Sequence, residues 1–168
     1  MNIINKAKEK GIVGCIRAVK SRVIKYYNNI LLKKYMSLPI NEYSLVLESE
    51  GDCCDNAYAL FNYMQENGYL GKYRITWLVN HPENFHGDEN VKYVQKDIYN
   101  HFSSETLKAL RTCHWYIYDH CDVLMNNKRD AQKIIFLNHG GGFKAPSGNA
   151  VSYADETYTT SELFYYPA

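Results

Sequence analysis

The sequence is short of several things, and each shortage removes a class of protein. No apolar run approaches the ~18 residues that a membrane-spanning helix needs, so a transmembrane protein of that kind is set aside. Four prolines and ten glycines in 168 residues are too few for a collagen-like or linker-dominated chain. No cysteine pair stands at C-x2-C spacing, no internal repeat is visible, and there is no low-complexity tract. The basic N-terminus is not followed by the roughly 7–15-residue apolar stretch of a secretory signal. Five cysteines remain (Cys15, Cys53, Cys54, Cys113, Cys121), odd in number and with two adjacent. They read as free thiols in a reducing, cytoplasmic setting. With 46% hydrophobic residues the chain has enough apolar surface to build a core, which excludes bulk disorder.

Tyrosine is abundant, at 16 residues. It supplies apolar area with a polar tip, which suits half-buried strands and interfaces. Charge is unevenly spread. Residues 1–36 hold nine Lys/Arg and one acid, a net +8, while the other 132 residues are net −7. The first stretch also reads as a helix. Ile12, Ile16, Val19, Val23, Tyr26, Tyr27, Ile30 and Leu31 recur at three- and four-residue steps, with lysines and arginines mostly between them, until Pro39 ends the segment. The expectation is a basic amphipathic helix over 1–38, followed by one domain over 39–168. Such a helix packs on its own domain or lies on an anionic membrane surface, where each Lys/Arg adds about 1 kcal/mol. The membrane reading is preferred, because +8 exceeds what solubility requires. It places the protein peripherally on the inner face of the cell membrane. Nucleic acid is not expected as a partner, since the body is acidic and no reader motif follows.

From residue 43 the pattern becomes strand, loop, helix, strand. Residues 44–47 form a short apolar run suited to a buried parallel strand. Asp55 is placed to cap a helix carrying Ala57, Leu60, Phe61 and Met64, and Gly68 to end it. Residues 75–79 form the next strand, completing a βαβ unit. Further strands are expected at 91–94, 115–118, 134–137 and 157–160, with a helix from Ser103 or Ser104 to Arg111. Strands alternating with helices predict an α/β, Rossmann-like parallel sheet with helices on both faces. The text stops at Tyr165-Tyr166-Pro167-Ala168 with no closing helix, so the expectation is a break within a longer protein.

The densest chemistry lies at residues 134–144, an apolar strand running into His139-Gly140-Gly141-Gly142-Phe143-Lys144. Open α/β sheets bind ligands beyond the carboxyl ends of their strands. A histidine there is suited to general-base work, as its ordinary pKa of about 6.5 lies near working pH. Three glycines let N–H groups approach an anion, and Lys144 adds a point charge suited to phosphate. The plain alternative is a surface loop whose glycines only make a turn. A second alternative is the HGGG oxyanion loop of lipase-like α/β-hydrolases, although the G-x-S-x-G that such enzymes need does not follow. Cys113-His114 and His120-Cys121 pair metal-ligand types, but a strand lies between them and no zinc spacing accompanies them, so no metal site is assigned. Cys53-Cys54 reads as two small apolar residues at a helix start.

The order of residues 45–51 (Leu-Val-Leu-Glu-Ser-Glu-Gly), 55–64 (opening Asp55-Asn56) and 73–79 (Tyr73 with Trp77), then 139–144 and Thr159-Thr160-Ser161-Glu162, resembles the CDP-glycerol glycerophosphotransferase family, the teichoic acid polymerases and primases. The resemblance covers residues 43–164. Gly141 and Gly142 stand where that family has Thr-Pro, and Asn138 where it has Trp. The resemblance implies the N-terminal, acceptor-side half of a two-domain GT-B-type arrangement, with the donor half beyond this sequence. It implies glycerol phosphate, or a related polyol phosphate, moving from a CDP-activated donor to a wall or capsule polymer. His139 would be the catalytic base. Gly140, Gly141, Gly142, Lys144 and Ser49 would bind substrate or phosphate. CDP-glycerol enters as donor substrate, with no separate cofactor and no metal. The other readings kept open are the hydrolase and a non-catalytic, membrane-associated module.

Overall fold

The computed structural model describes residues 3–120, 128–138 and 154–159. In chain order these form α1 (Ile3–Tyr35), β1 (Asn41–Glu48), α2 (Asp55–Glu66), β2 (Arg74–Val79), β3 (Val91–Gln95), α3 (Ser104–Thr112), β4 (Cys113–Tyr118), β5 (Lys133–Asn138) and β6 (Glu156–Thr159). The expected site run 139–144, Cys121 and Thr160 lie outside the described residues.

The six strands make one sheet in the order β3-β2-β1-β4-β5-β6, with every neighbouring pair parallel. A parallel sheet covered on both faces needs apolar side chains on both, which is why its strands read as continuous apolar runs. In β1 Leu45, Val46 and Leu47 are all buried. Alternate residues then divide between two cores. Leu45 and Leu47 join Ile75, Trp77 and Val79 under Ala57, Phe61 and Met64 of α2. Val46 joins Leu78, Val94, Tyr116, Tyr118 and Phe136 under Leu110 of α3. Helix α2 shows the three- and four-residue spacing of a one-faced helix, and it ends at Gly68. That residue adopts φ 74°, a left-handed conformation that glycine takes without strain.

From β1 the chain steps outward to β2 and β3. Helix α3 then carries it back across to β4, and it continues the other way to β5 and β6. The winding therefore reverses between β1 and β4. In doubly wound sheets that reversal opens a crevice beyond the carboxyl ends of the two strands, where ligands bind.

Helix α1 is present over nearly the expected range, but it packs on a different face. Of the predicted stripe, Ile16, Val19, Val23, Tyr26, Tyr27 and Ile30 are exposed, and Leu31 is buried. The buried positions are Ile24, Asn28 and Leu31, one helical face that lies along α3. Tyr35 continues this face and shares a 2.8 Å hydrogen bond with Ser104 Oγ. Hydrophobic periodicity missed this face because its second position is Asn28 and its last is Tyr35, both chosen for hydrogen bonds. Apolar residues thus occupy two sides of α1, and it is not a simple two-faced helix.

Beside β5, Asp155 accepts the Ile134 N–H at 2.7 Å and pairs with Lys128. Burial works against its charged form, but Lys128 and the Ile134 N–H outweigh it and hold the carboxyl below the usual range. A depressed folded value means the stabilisation is present above the unfolded value, near 3.8, and is lost as pH falls through the folded one. Urea midpoints measured from pH 6 down to 3 should therefore fall more steeply for the parent than for Asp155→Asn. At pH 6 the parent should lead by on the order of 1 kcal/mol.

Candidate functional site

The switch-point crevice has an unusual floor for a parallel sheet. Glu48, the last residue of β1, is completely buried although it carries a carboxylate. Three side chains converge on it, two of them as donors. The Tyr116 hydroxyl, two residues before the end of β4, donates to Oε2. Lys96 Nζ, just past β3 and itself buried, lies 3.0 Å from Oε1. His120 Nε2, just past β4, lies 3.1 Å from the same oxygen. Lys96 Nζ also stands 2.9 Å from His120 Nε2. An ammonium only donates, so Nε2 accepts from Lys96, and Lys96 bridges ring and carboxylate.

The turn from β1 into α2 forms the other wall. Lys96 Nζ donates to the Ser49 carbonyl at 2.9 Å. Ser49 Oγ donates to Gly51 O at 2.9 Å and accepts the Cys54 N–H at 3.2 Å. Ser49, expected among the substrate-binding residues, is buried and commits its hydroxyl to shaping this turn. Cys53 and Asp55 have φ of 53° and 56°, left-handed values that cost a non-glycine residue about 1 kcal/mol or more each. The turn is therefore held by its contacts and not by local preference. Asp52 adds to them by accepting Asn80 N, Asn80 Nδ2 and His81 N, all within 2.9 Å.

Asp55 does not cap α2. The N-cap position is Cys54, and no side chain there bonds the helix. The cap comes from just past β4, where the buried Asp119 accepts the Ala57 N–H at 2.9 Å through Oδ2. A helix N-terminus is a ready anion site, and here an internal carboxylate fills it. Asn56, in the first turn, extends Nδ2 to the Asn138 carbonyl at 2.9 Å. Asn138 ends β5 and directly precedes His139. The N-terminus of α2 is thus tied to the strand end that delivers the candidate base.

Cys113 and His114 open β4 whereas His120 follows its end, about 20 Å of strand apart, so they cannot share an ion. Burial pushes the Cys113 thiol up to about 12. Burial, then Asp52 and Cys54, does the same for Cys53, so neither is a ready nucleophile. A polar cavity of about 450 Å³ beside Arg74, Lys92 and Lys108 lies at the amino edge of the sheet, away from the crevice. An apolar groove of about 410 Å³, lined by Tyr63, Trp115, Ile117 and Leu137, runs along the α2 face. Sequence reasoning did not single out Glu48, Lys96, Asp119 or His120 as a group. Their partners are remote in sequence, and the only local sign was a charged residue at the end of each apolar run.

Comparison with known proteins agrees with the resemblance read from the motifs. The sequence pattern of the CDP-glycerol:poly(glycerophosphate) glycerophosphotransferases matches residues 30–163. That span runs through residues 139–144, which sets the glycine run within a transferase pattern and not a lipase one. No curated protein matches. Among solved structures, one of the wall teichoic acid polymerase TagF aligns at TM-score 0.55 and 23% identity, over 75% of this chain and 30% of that one. A histidine variant of TagF aligns at TM-score 0.58 and 20% identity, over 89% of this chain and 34% of that one. A TagF variant soaked with CDPG aligns at TM-score 0.55 and 20% identity, over 83% and 33%. These likenesses establish the fold, and the chain spans about a third of the TagF chains it matches.

The borrowed cap gives a direct test. Asp119→Ala should cost about 1–2 kcal/mol of stability, the usual worth of a lost cap. Amide exchange at Ala57 and Tyr58 should accelerate more than in the rest of α2. Uniform exchange along the helix would show that Asp119 is not its cap.

Proposed function

Because this chain belongs to the CDP-glycerol:poly(glycerophosphate) glycerophosphotransferase family, we propose that it supplies the acceptor-side half of an enzyme moving glycerol phosphate, or a related polyol phosphate, from a CDP-activated donor to a wall or capsule polymer. The observation that carries the reading is the tie between α2 and β5. The α2 N-terminus, which in a nucleotide-binding half would face a phosphate, is filled by Asp119, and Asn56 of the same turn holds the Asn138 carbonyl. This half then offers the residues after Asn138 to the acceptor, and the nucleotide belongs to a partner half.

In the proposed reaction a terminal hydroxyl of the acceptor attacks the β-phosphorus of CDP-glycerol. His139 takes the hydroxyl proton. The bond between the β-phosphorus and the bridging oxygen breaks, and CMP leaves with its electron pair. N–H groups of Gly140, Gly141 and Gly142 and the Lys144 ammonium offset the charge gathering on the phosphoryl oxygens. Ser49 contributes by holding the turn that supports α2.

No helix among the described residues is long and apolar enough to cross a membrane. The proposed association is peripheral, at the inner face, through α1. Ile16, Val19, Val23, Tyr26 and Ile30 are open on the side away from the buried Ile24, Asn28 and Leu31. Arg17, Lys20, Arg22 and Lys25 lie among them.

Two measurements check these assignments. In the complete enzyme, His139→Ala should lower kcat by about 10²–10⁴, the usual worth of a general base, with thermal stability near the parent's. Normal turnover at saturating donor and acceptor would remove His139 from the mechanism. Separately, the pair Ile16→Ser and Val23→Ser should abolish sedimentation with anionic vesicles. Parental binding should also weaken as the Debye length falls from about 10 Å at 0.1 M salt to about 3 Å at 1 M. Unchanged sedimentation of the double variant would assign membrane contact to another surface.

A further inference from the structure

Lys96 is a buried lysine whose three N–H donors all have protein acceptors: the Ser49 carbonyl and His120 Nε2 at 2.9 Å, and Glu48 Oε1 at 3.0 Å. It has no donor left for a ligand. Lysine is seldom buried without purpose, and a buried ion pair is a poor source of net stability. What this one supplies is a fixed relation among the ends of β1, β3 and β4.

From that junction a continuous set of bonds leads to Asn138, the residue before His139 in the sequence. The Ser49 carbonyl held by Lys96 belongs to the residue whose hydroxyl closes the β1–α2 turn onto Gly51 O and Cys54 N. The turn carries two left-handed non-glycine residues, so it depends on such restraints. It opens directly into α2, whose Asn56 holds the Asn138 carbonyl. In the other direction, Lys96 begins the loop of residues 96–103. Asp97 stiffens that loop by accepting Tyr99 N, Asn100 N and Asn100 Nδ2. Asn28, buried on α1, donates to Ile98 O at 2.7 Å and His101 O at 3.0 Å, and accepts the Ser103 N–H at 3.4 Å. One residue separates Lys96 from the first carbonyl that α1 holds.

We propose that Lys96 is a positioning residue for the transfer reaction: its ammonium fixes the β1–α2 turn, through which α2 sets the strand end bearing His139, and α1 braces Lys96 through Asn28. The proposal rests on the reading of His139 as the base, and it makes α1 a support of the site as well as the surface-facing helix.

The test uses the complete enzyme. Lys96→Met alone leaves Glu48 buried without its counter-charge, so Lys96→Met is combined with Glu48→Gln to remove both charges together and preserve folding. This double variant should melt near the parental temperature. Its kcat should nevertheless fall by about tenfold or more, as expected when a reacting group is displaced by a fraction of an ångström, with donor KM changed less than about twofold. Amide exchange over residues 49–54, read without substrate, should accelerate about tenfold against unchanged protection in β2. Asn28→Ala should speed exchange over residues 97–103 and shift kcat in the same direction by a smaller factor. A folded double variant with parental kcat and parental exchange over 49–54 overturns the proposal. So does an Asn28→Ala enzyme with parental exchange over 97–103, which decides the matter alone if the double variant does not fold. Since exchange needs no turnover, it tests Lys96 even where His139→Ala retains activity, and the two failures stay distinct.

Discussion

Burying the Glu48 carboxylate at the end of β1 sets a demand that the carboxyl edge of the sheet is arranged to meet. A carboxylate taken out of water loses many kcal/mol of solvation unless charge and donors come to it. The donors available to a residue at the end of a parallel strand lie on neighbouring strands at the same level. Tyr116 arrives from β4 and Lys96 from beyond β3, and Lys96 bridges the carboxylate to the His120 ring just past β4. Each must sit at the correct height, so the register of β1 against β4 and of β2 against β3 is tied to this one oxygen pair. A slip by one residue would turn every one of these side chains to the opposite face.

A second buried carboxylate completes the edge. Asp119 neighbours His120 but points to the α2 side and takes the N–H that α2 would otherwise leave bare. Two adjacent residues just past β4 thus serve opposite sides, one holding the ion-pair cluster and the other the helix. Among the described residues, Glu48, Lys96 and Asp119 at the ends of β1, β3 and β4 are each already engaged by protein groups.

Much of the scaffold was legible in the sequence. The run 75–79 and the run 134–137 are continuous apolar segments between polar stretches, and each is a strand within one residue of the expected ends. Gly68 ended α2 as its left-handed position required. Misreadings arose where a polar side chain does a distant job. Asp55 has the composition and place of a cap, yet the cap is Asp119, more than sixty residues away in sequence. In α1 most of the visible apolar stripe, Leu31 apart, faces outward, because the packing face is completed by Asn28 and Tyr35, whose partners are carbonyls of the folded loop and a hydroxyl of α3. The Glu48 cluster was hidden for the same reason, since the sequence gives no spacing rule for partners on three strands.

Helix α1 has a consequence for geometry at larger scale. Over residues 24–35 it is clasped by α3 and the loop of residues 97–103 on one side, and open on the other. A tether of free chain would let the sheet drift toward or away from whatever it is attached to. A helix gripped in this way acts as a runner under a frame. Any surface that takes its open side receives the sheet at a set tilt, and the height of the crevice above that surface is a property of the scaffold. Anything rooted in such a surface would then meet the crevice at a defined distance from its root.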